Sequence, residues 1–127
     1  MSRFLNMLRD LNITKEQLNH ATLFGEVLEF ENDSYYKSDS DIHNIGIFAL
    51  KNISKNDIIG VGTIDNKYKT PLGRYTNHSD NNNARFYHLK NEDFIMLAER
   101  DIAKDTEILI NYRHHVLNKR YLNEKYL

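Results

Sequence analysis

From residue 27 onward the chain is a succession of short β-forming runs separated by turn clusters, with no long helical period among them. The runs are residues 27–31, 35–37, 46–50, 58–64, 84–89, 94–98 and 107–112, and Asn32-Asp33-Ser34, Asp65-Asn66 and residues 79–83 are the clearest turns. Helical spacing is confined to the two ends. Phe4, Leu5, Leu8 and Leu11 repeat on one face, and Thr14-Lys15-Glu16-Gln17 has the form of a capping box ahead of Leu18, Ala21 and Leu23. In the tail, Leu117/Tyr121 and Leu122/Tyr126 are i,i+4 pairs that predict a terminal helix. The expectation is one compact α+β domain, β-rich, with a helical cover over residues 1–25, a body over 26–112 and a helical tail over 113–127.

Composition narrows what such a domain can do. There is no run of 18 apolar residues to span a membrane, and charges interrupt the apolar N-terminus, which is not a signal peptide. The absence of cysteine excludes disulfides, zinc knuckles, iron–sulfur clusters and a thiol nucleophile. With 17 basic and 18 acidic side chains, the net charge of −1 offers no global attraction to nucleic acid or to an anionic membrane. A cytoplasmic protein is the expectation. Asparagine occurs 16 times, so the four Asn-x-Ser/Thr matches are chance events.

Several motifs fail on inspection. Gly60-Val61-Gly62 lacks the third glycine and the long helix of a dinucleotide site and reads as part of a twisted strand. Asp39-Ser40-Asp41 lacks the glycine and distal glutamate of a calcium loop. His114-His115 does not have metal-ligand spacing, which leaves a basic helix face as its default, and no metal site is expected. The tail residues Arg113, Lys119, Arg120 and Lys125 read as a solvated face.

One constellation is different: each of its blocks alone reads as an incidental turn or a strand-end aromatic, but their occurrence together and in order is hard to get by chance. Gly73-Arg74-Tyr75-Thr76-Asn77-His78-Ser79 is followed by a turn closing on Asn83, and about thirty residues later Glu107-Ile108-Leu109-Ile110-Asn111-Tyr112 delivers a tyrosine at a strand end. Upstream lies Asn44-Ile45-Gly46-Ile47-Phe48-Ala49. In this order the blocks resemble the SET-domain family of protein-lysine methyltransferases, in particular its small stand-alone viral and bacterial members. Arg74, Asn77, His78, Ser79 and Asn83 match the family's Arg-Phe-x-Asn-His-Ser-Cys-x-Pro-Asn, with Asp80 in the cysteine's place and Asn82 in the proline's. Glu107, Ile108 and Tyr112 match Gly-Glu-Glu-Leu-Thr-x-x-Tyr. Of Gly-x-Gly only Gly46 remains. Asn44 replaces the first glycine, and asparagine is the non-glycine residue best able to take a left-handed backbone.

The resemblance implies a pseudoknot in which Asn77-His78 threads a loop around the Tyr112 strand. It implies S-adenosylmethionine as cofactor and S-adenosylhomocysteine as product, held by Asn44, Ile45, Gly46, Arg74, Asn77 and His78, with the glycine giving close backbone approach. Tyr112 would be catalytic, its hydroxyl beside the transferring methyl, and Tyr75, Tyr121 and Tyr126 are candidates for the wall of the lysine channel. The partner is a protein bearing the target lysine, and a homodimer that completes the substrate groove stays open. The competing expectation is a SET-like interaction module without catalysis, motivated by Asn44 and by the short insert before Gly73.

Overall fold

The computed structural model describes residues 6, 9, 14, 27–29, 31–65 and 68–123. Most of the expected N-terminal helices, Phe30, Asn66 and Tyr126 lie outside the described residues; Asn6 and Arg9 are helical.

Among the described residues, nine strands form three small sheets. The β-branched and aromatic runs between turns account for β1 (Tyr35–Asp39), β2 (Ile45–Ala49), β3 (Ile58–Val61), β4 (Thr63–Ile64) and β5 (Tyr68–Lys69). After them come β6 (Asn77–His78), β7 (Ala84–His88), β8 (Phe94–Ala98) and β9 (Glu107–Ile110). The sheets order as β1-β2-β9-β6, β3-β8-β7 and β4-β5. Among these nine strands every pairing is antiparallel except β6 with β9, where Asn77 lies opposite Leu109 and His78 opposite Ile110. The last strand therefore sits between an early one and a middle one, the interleaving that a pseudoknot requires.

Among the described residues, two short helices flank this arrangement. Thr70 caps α1 (Pro71–Tyr75), its hydroxyl accepting from Gly73 N–H while Pro71 occupies the first turn, where a missing N–H costs nothing. Gly73 has no room for a side chain, because a Cβ there would meet the Gly62 carbonyl oxygen at 2.2 Å. The second helix, α2 (Tyr112–Leu117), starts immediately after β9 with Asn111 as its cap.

The core is aliphatic at its centre, with Ile47, Leu72, Met96 and Ile108 fully buried and Tyr75, Phe94 and Tyr112 packed against it. Buried Asn83 pins β9 into place. Its amide donates to the Glu107 carbonyl at 2.9 Å, and its side-chain oxygen accepts from Leu109 N–H at 2.8 Å. One side chain thus satisfies two backbone groups, as a neighbouring strand would.

Three expectations change. The run 58–64 is two strands, because the chain breaks at Gly62, where a Cβ would strike Phe94 at 2.3 Å. Among the described residues of the expected strand over 27–31, the pairing is a bridge between Val27 and Lys69. The tail does not pair Leu117 with Tyr121 on a helix: α2 ends at Leu117, and Tyr121 instead makes a bridge to His88.

Candidate active site

Parallel pairing of β6 with β9 brings together two segments thirty residues apart. Asn77 is buried, and its Nδ2 donates to three acceptors: the His43 carbonyl at 3.0 Å, the Ile45 carbonyl at 3.3 Å and Glu107 Oε2 at 3.0 Å. It thereby ties the β1–β2 turn to β9. Within that turn Ser40 N–H donates to the Asn44 carbonyl at 2.8 Å, and Asn44 takes φ 39°, inside the left-handed region. The asparagine that replaces the first family glycine thus adopts a backbone most residues avoid.

Glu107 is the hub of this turn. Ser40 Oγ donates to its carboxylate at 2.7 and 2.9 Å and in turn accepts from Ile42 N–H at 3.0 Å. A Cβ at Gly46 would lie 2.4 Å from Glu107 Oε2. The space released by the missing side chain at Gly46 is therefore occupied by the chain's own carboxylate.

His78 faces α2. Its Nδ1 accepts from Tyr112 N–H at 3.0 Å, and its ring lies 5.1 Å from the Tyr112 ring. A backbone N–H can only donate, so Nδ1 keeps its lone pair and the ring proton is on Nε2. Burial holds the imidazole below its ordinary pKa, opposed by Asp80 and reinforced by Arg113. The Tyr112 hydroxyl donates to the Thr76 carbonyl at 3.0 Å. Burial raises its pKa to about 12, against the opposing charge of Arg74, so it is a neutral phenol near pH 7.

Arg74 stacks on Tyr75, its guanidinium carbon 5.0 Å from the ring centroid, and Lys37 Nζ lies 5.1 Å from the same ring. Among the described residues no carboxylate pairs with Arg74. The sites predicted from sequence therefore fall into two groups. Asn44, Ile45, Gly46, Asn77 and His78 meet around the turn and β6, and Arg74, Tyr75 and Tyr112 adjoin them through α1 and Thr76. Tyr121 makes its contacts elsewhere: its hydroxyl donates to Glu92 at 2.8 Å and its ring lies 5.7 Å from His88.

Around Tyr121 lies an aromatic cluster that the pattern of the chain did not announce. His115 stacks on His88 at 5.1 Å and 13°, and touches Phe86 at 5.2 Å and Phe94 at 4.6 Å. Burial pushes its pKa down to about 4, so it is a neutral packing residue and not part of a basic face. Among the described residues no group of His, Asp or Glu is placed to hold a metal, and no helix is long and apolar enough to cross a membrane.

The same geometry has known relatives. A crystal structure of a Plasmodium falciparum protein, described as a candidate histone methyltransferase, is 30% identical over 66% of this chain and 96% of its own, with a TM-score of 0.54. The chain belongs to the SET-domain family. The SET domain family model matches residues 60–113, the span from β3 to the start of α2. No curated protein matches the chain in sequence. Within this SET domain, the residues whose contacts the motifs did not announce are Glu107, Ser40 and Asp80, which touch the matched residues or their neighbours. Glu107 lay in a matched motif without an assigned task, and Asp80 was visible only as a departure.

Proposed function

We propose that this SET domain is an S-adenosylmethionine-dependent protein-lysine N-methyltransferase. SET domains are in general protein-lysine methyltransferases. The observation that carries the reading is the β6–β9 pairing, which sets Asn77 and His78 against the strand that leads into Tyr112.

The residues present fit the cofactor's amino-acid end, which offers one carboxylate and one ammonium group. Asn77 commits its Nδ2 inward, and among the described residues its Oδ1 accepts no hydrogen bond, leaving an acceptor for an ammonium. Arg74 is a cation with no carboxylate partner among the described residues, suited to a carboxylate. Ile42 and Ile45 flank the turn with exposed apolar surface for the rest of the molecule. When bound, S-adenosylmethionine supplies an electrophilic methyl on a sulfonium.

The chain's own task is to present a neutral amine in line with that methyl. A free lysine has a pKa near about 10.4, and desolvation lowers it by disfavouring the ammonium. Tyr112, a neutral phenol, leaves its hydroxyl lone pairs available to orient the amine while its proton is held by the Thr76 carbonyl. Orientation of this kind supplies several kcal/mol of the barrier.

The test is a thermal-unfolding scan with and without S-adenosylmethionine, followed by labelled methyl transfer to peptides and protein extracts. Ligand at a hundred times its Kd adds about 2.7 kcal/mol of stability. The shift is expected in the wild type and in Tyr112→Phe and is expected to vanish in Asn77→Ala. Methyl transfer is expected to fall at least about 100-fold in Tyr112→Phe, the scale of a lost positioning contact. A folded wild type with no cofactor shift replaces the enzyme reading with the interaction module.

A further inference from the structure

Asp80 stands where the family pattern has a cysteine, and its contacts give it a task that a thiol could not perform. Its Oδ1 accepts from Arg113 Nη1 at 2.8 Å and lies 3.4 Å from His78 Nε2. The other ring nitrogen of His78 accepts the Tyr112 N–H. Arg113 follows Tyr112 directly in the chain, so the contacts close a circuit: Asp80 to His78, His78 to the Tyr112 backbone, Tyr112 to Arg113, and Arg113 back to Asp80. Within the circuit His78 Nε2 is buried and makes no hydrogen bond, but it lies close enough to the Asp80 carboxylate for that charge to favour a proton on Nε2, the one tautomer able to accept from Tyr112.

We propose that Asp80 is a positioning residue for methyl transfer: it holds His78 in the Nε2–H tautomer and anchors Arg113, which fixes the backbone of Tyr112 from both sides. The proposal rests on the role given to Tyr112 above. A cysteine at this position would offer a weak acceptor and no charge to Arg113. The contribution is geometric more than energetic. The side chains of Asp80 and Arg113 are 36% and 24% exposed, and pairs so near solvent add little to stability. Misplacing a reacting group by about 1 Å, in contrast, costs on the order of 100-fold in rate.

The experiment compares Asp80→Asn, Asp80→Glu and Arg113→Met with the wild type in steady-state methyl transfer and in 15N NMR of the histidine rings and the Tyr112 amide. Asp80→Asn is expected to melt within a few degrees of the wild type and to lose roughly 10- to 100-fold in kcat. Its KM for S-adenosylmethionine is expected to change far less than kcat, because of the cofactor residues only His78 belongs to the circuit, and it enters the circuit through its ring. Its His78 signals are expected to show a mixture of tautomers, and Asp80→Glu is expected to recover most of the lost kcat. A kcat within twofold of the wild type, or an unmixed Nε2–H signal in Asp80→Asn, overturns the proposal. If Asp80→Asn does not fold, Arg113→Met opens the circuit from its other side, and an unmoved Tyr112 amide signal overturns the proposal there. A wild type that transfers no methyl removes the reading of Tyr112 as catalytic, while the tautomer and amide signals still decide whether Asp80 positions it.

Discussion

Gly46→Ala tests whether the glycine of the turn serves the protein's own carboxylate. The added Cβ would lie 2.4 Å from Glu107 Oε2 and 3.0 Å from both Glu107 Cδ and Ser40 Cβ, so the carboxylate must move. It is not free to do so at no cost, because it accepts from Ser40 Oγ at 2.7 and 2.9 Å and from Asn77 Nδ2 at 3.0 Å. Hydrogen bonds to a charged acceptor contribute about 1.5–3 kcal/mol each, and partial resolvation of the displaced group returns some of that. Gly46 has no positive φ, so alanine also stabilises by about 0.5 kcal/mol through a more restricted unfolded chain. The net expectation is a loss of about 2 kcal/mol, a fall in Tm of roughly 8 °C for a domain of this size. Urea unfolding of a double-mutant cycle with Glu107→Ala checks the cause. With the carboxylate gone, Gly46→Ala should cost nothing or stabilise slightly, giving a coupling of about 2 kcal/mol between the two sites. If the substitution costs the same in both backgrounds, Glu107 is not what the missing side chain accommodates.

Two further outcomes follow from the packing. Asn83→Ala leaves the Glu107 carbonyl and the Leu109 N–H without their partner and is expected to cost about 2–3 kcal/mol in urea unfolding. A loss below about 0.5 kcal/mol would show that β9 holds its place without Asn83, since changes of that size are ordinary for surface positions. Acid is expected to destabilise the fold through His115, whose folded pKa of about 4 lies below its ordinary 6.5. The unfolded chain takes up that proton first, so the stability is fully present above about pH 6.5 and is lost as pH falls towards 4, by up to about 3 kcal/mol. His78, His88 and His114 are shifted the same way, in each case first by burial. His115→Phe keeps an aromatic ring among Phe86, Phe94 and His88 and should flatten the fall in stability between pH 7 and pH 4.5; an unaltered slope in that variant removes His115 as its source.

The strands were legible because their signal is local. Residues 94–98 are an apolar run bounded by polar turns and coincide with β8, and Ala84–His88 falls within the expected run 84–89. The short helix α1 shows no helical period because five residues are too few for one; Thr70 followed by Pro71 is the local signal that marks its start. The tail misled for a related reason. Spacing alone permits a Leu117–Tyr121 helical pair, but the backbone at Asn118 leaves helical geometry and the bridge to His88 takes Tyr121 instead. Tertiary pairing overrides local preference there.

In the candidate site the boundary between legible and illegible residues follows the chemistry. Asn77, His78 and Tyr112 could be read from a motif because they stand in the order and spacing of the family's pattern. The residues that hold them can be any type with the right donor or acceptor in the right place. Ser40 meets Glu107 across 67 positions of sequence and Asp80 meets Arg113 across 33, separations that no local pattern encodes. Such contacts depend on β9 lying between β2 and β6, a pairing set only when the whole fold closes. The supporting residues can therefore vary as long as their contacts are replaced, and the site must be judged by the contacts around it as much as by the motif residues themselves. At position 80 the family's cysteine gives way to an aspartate paired with Arg113, and at position 44 an asparagine at φ 39° serves in place of a glycine.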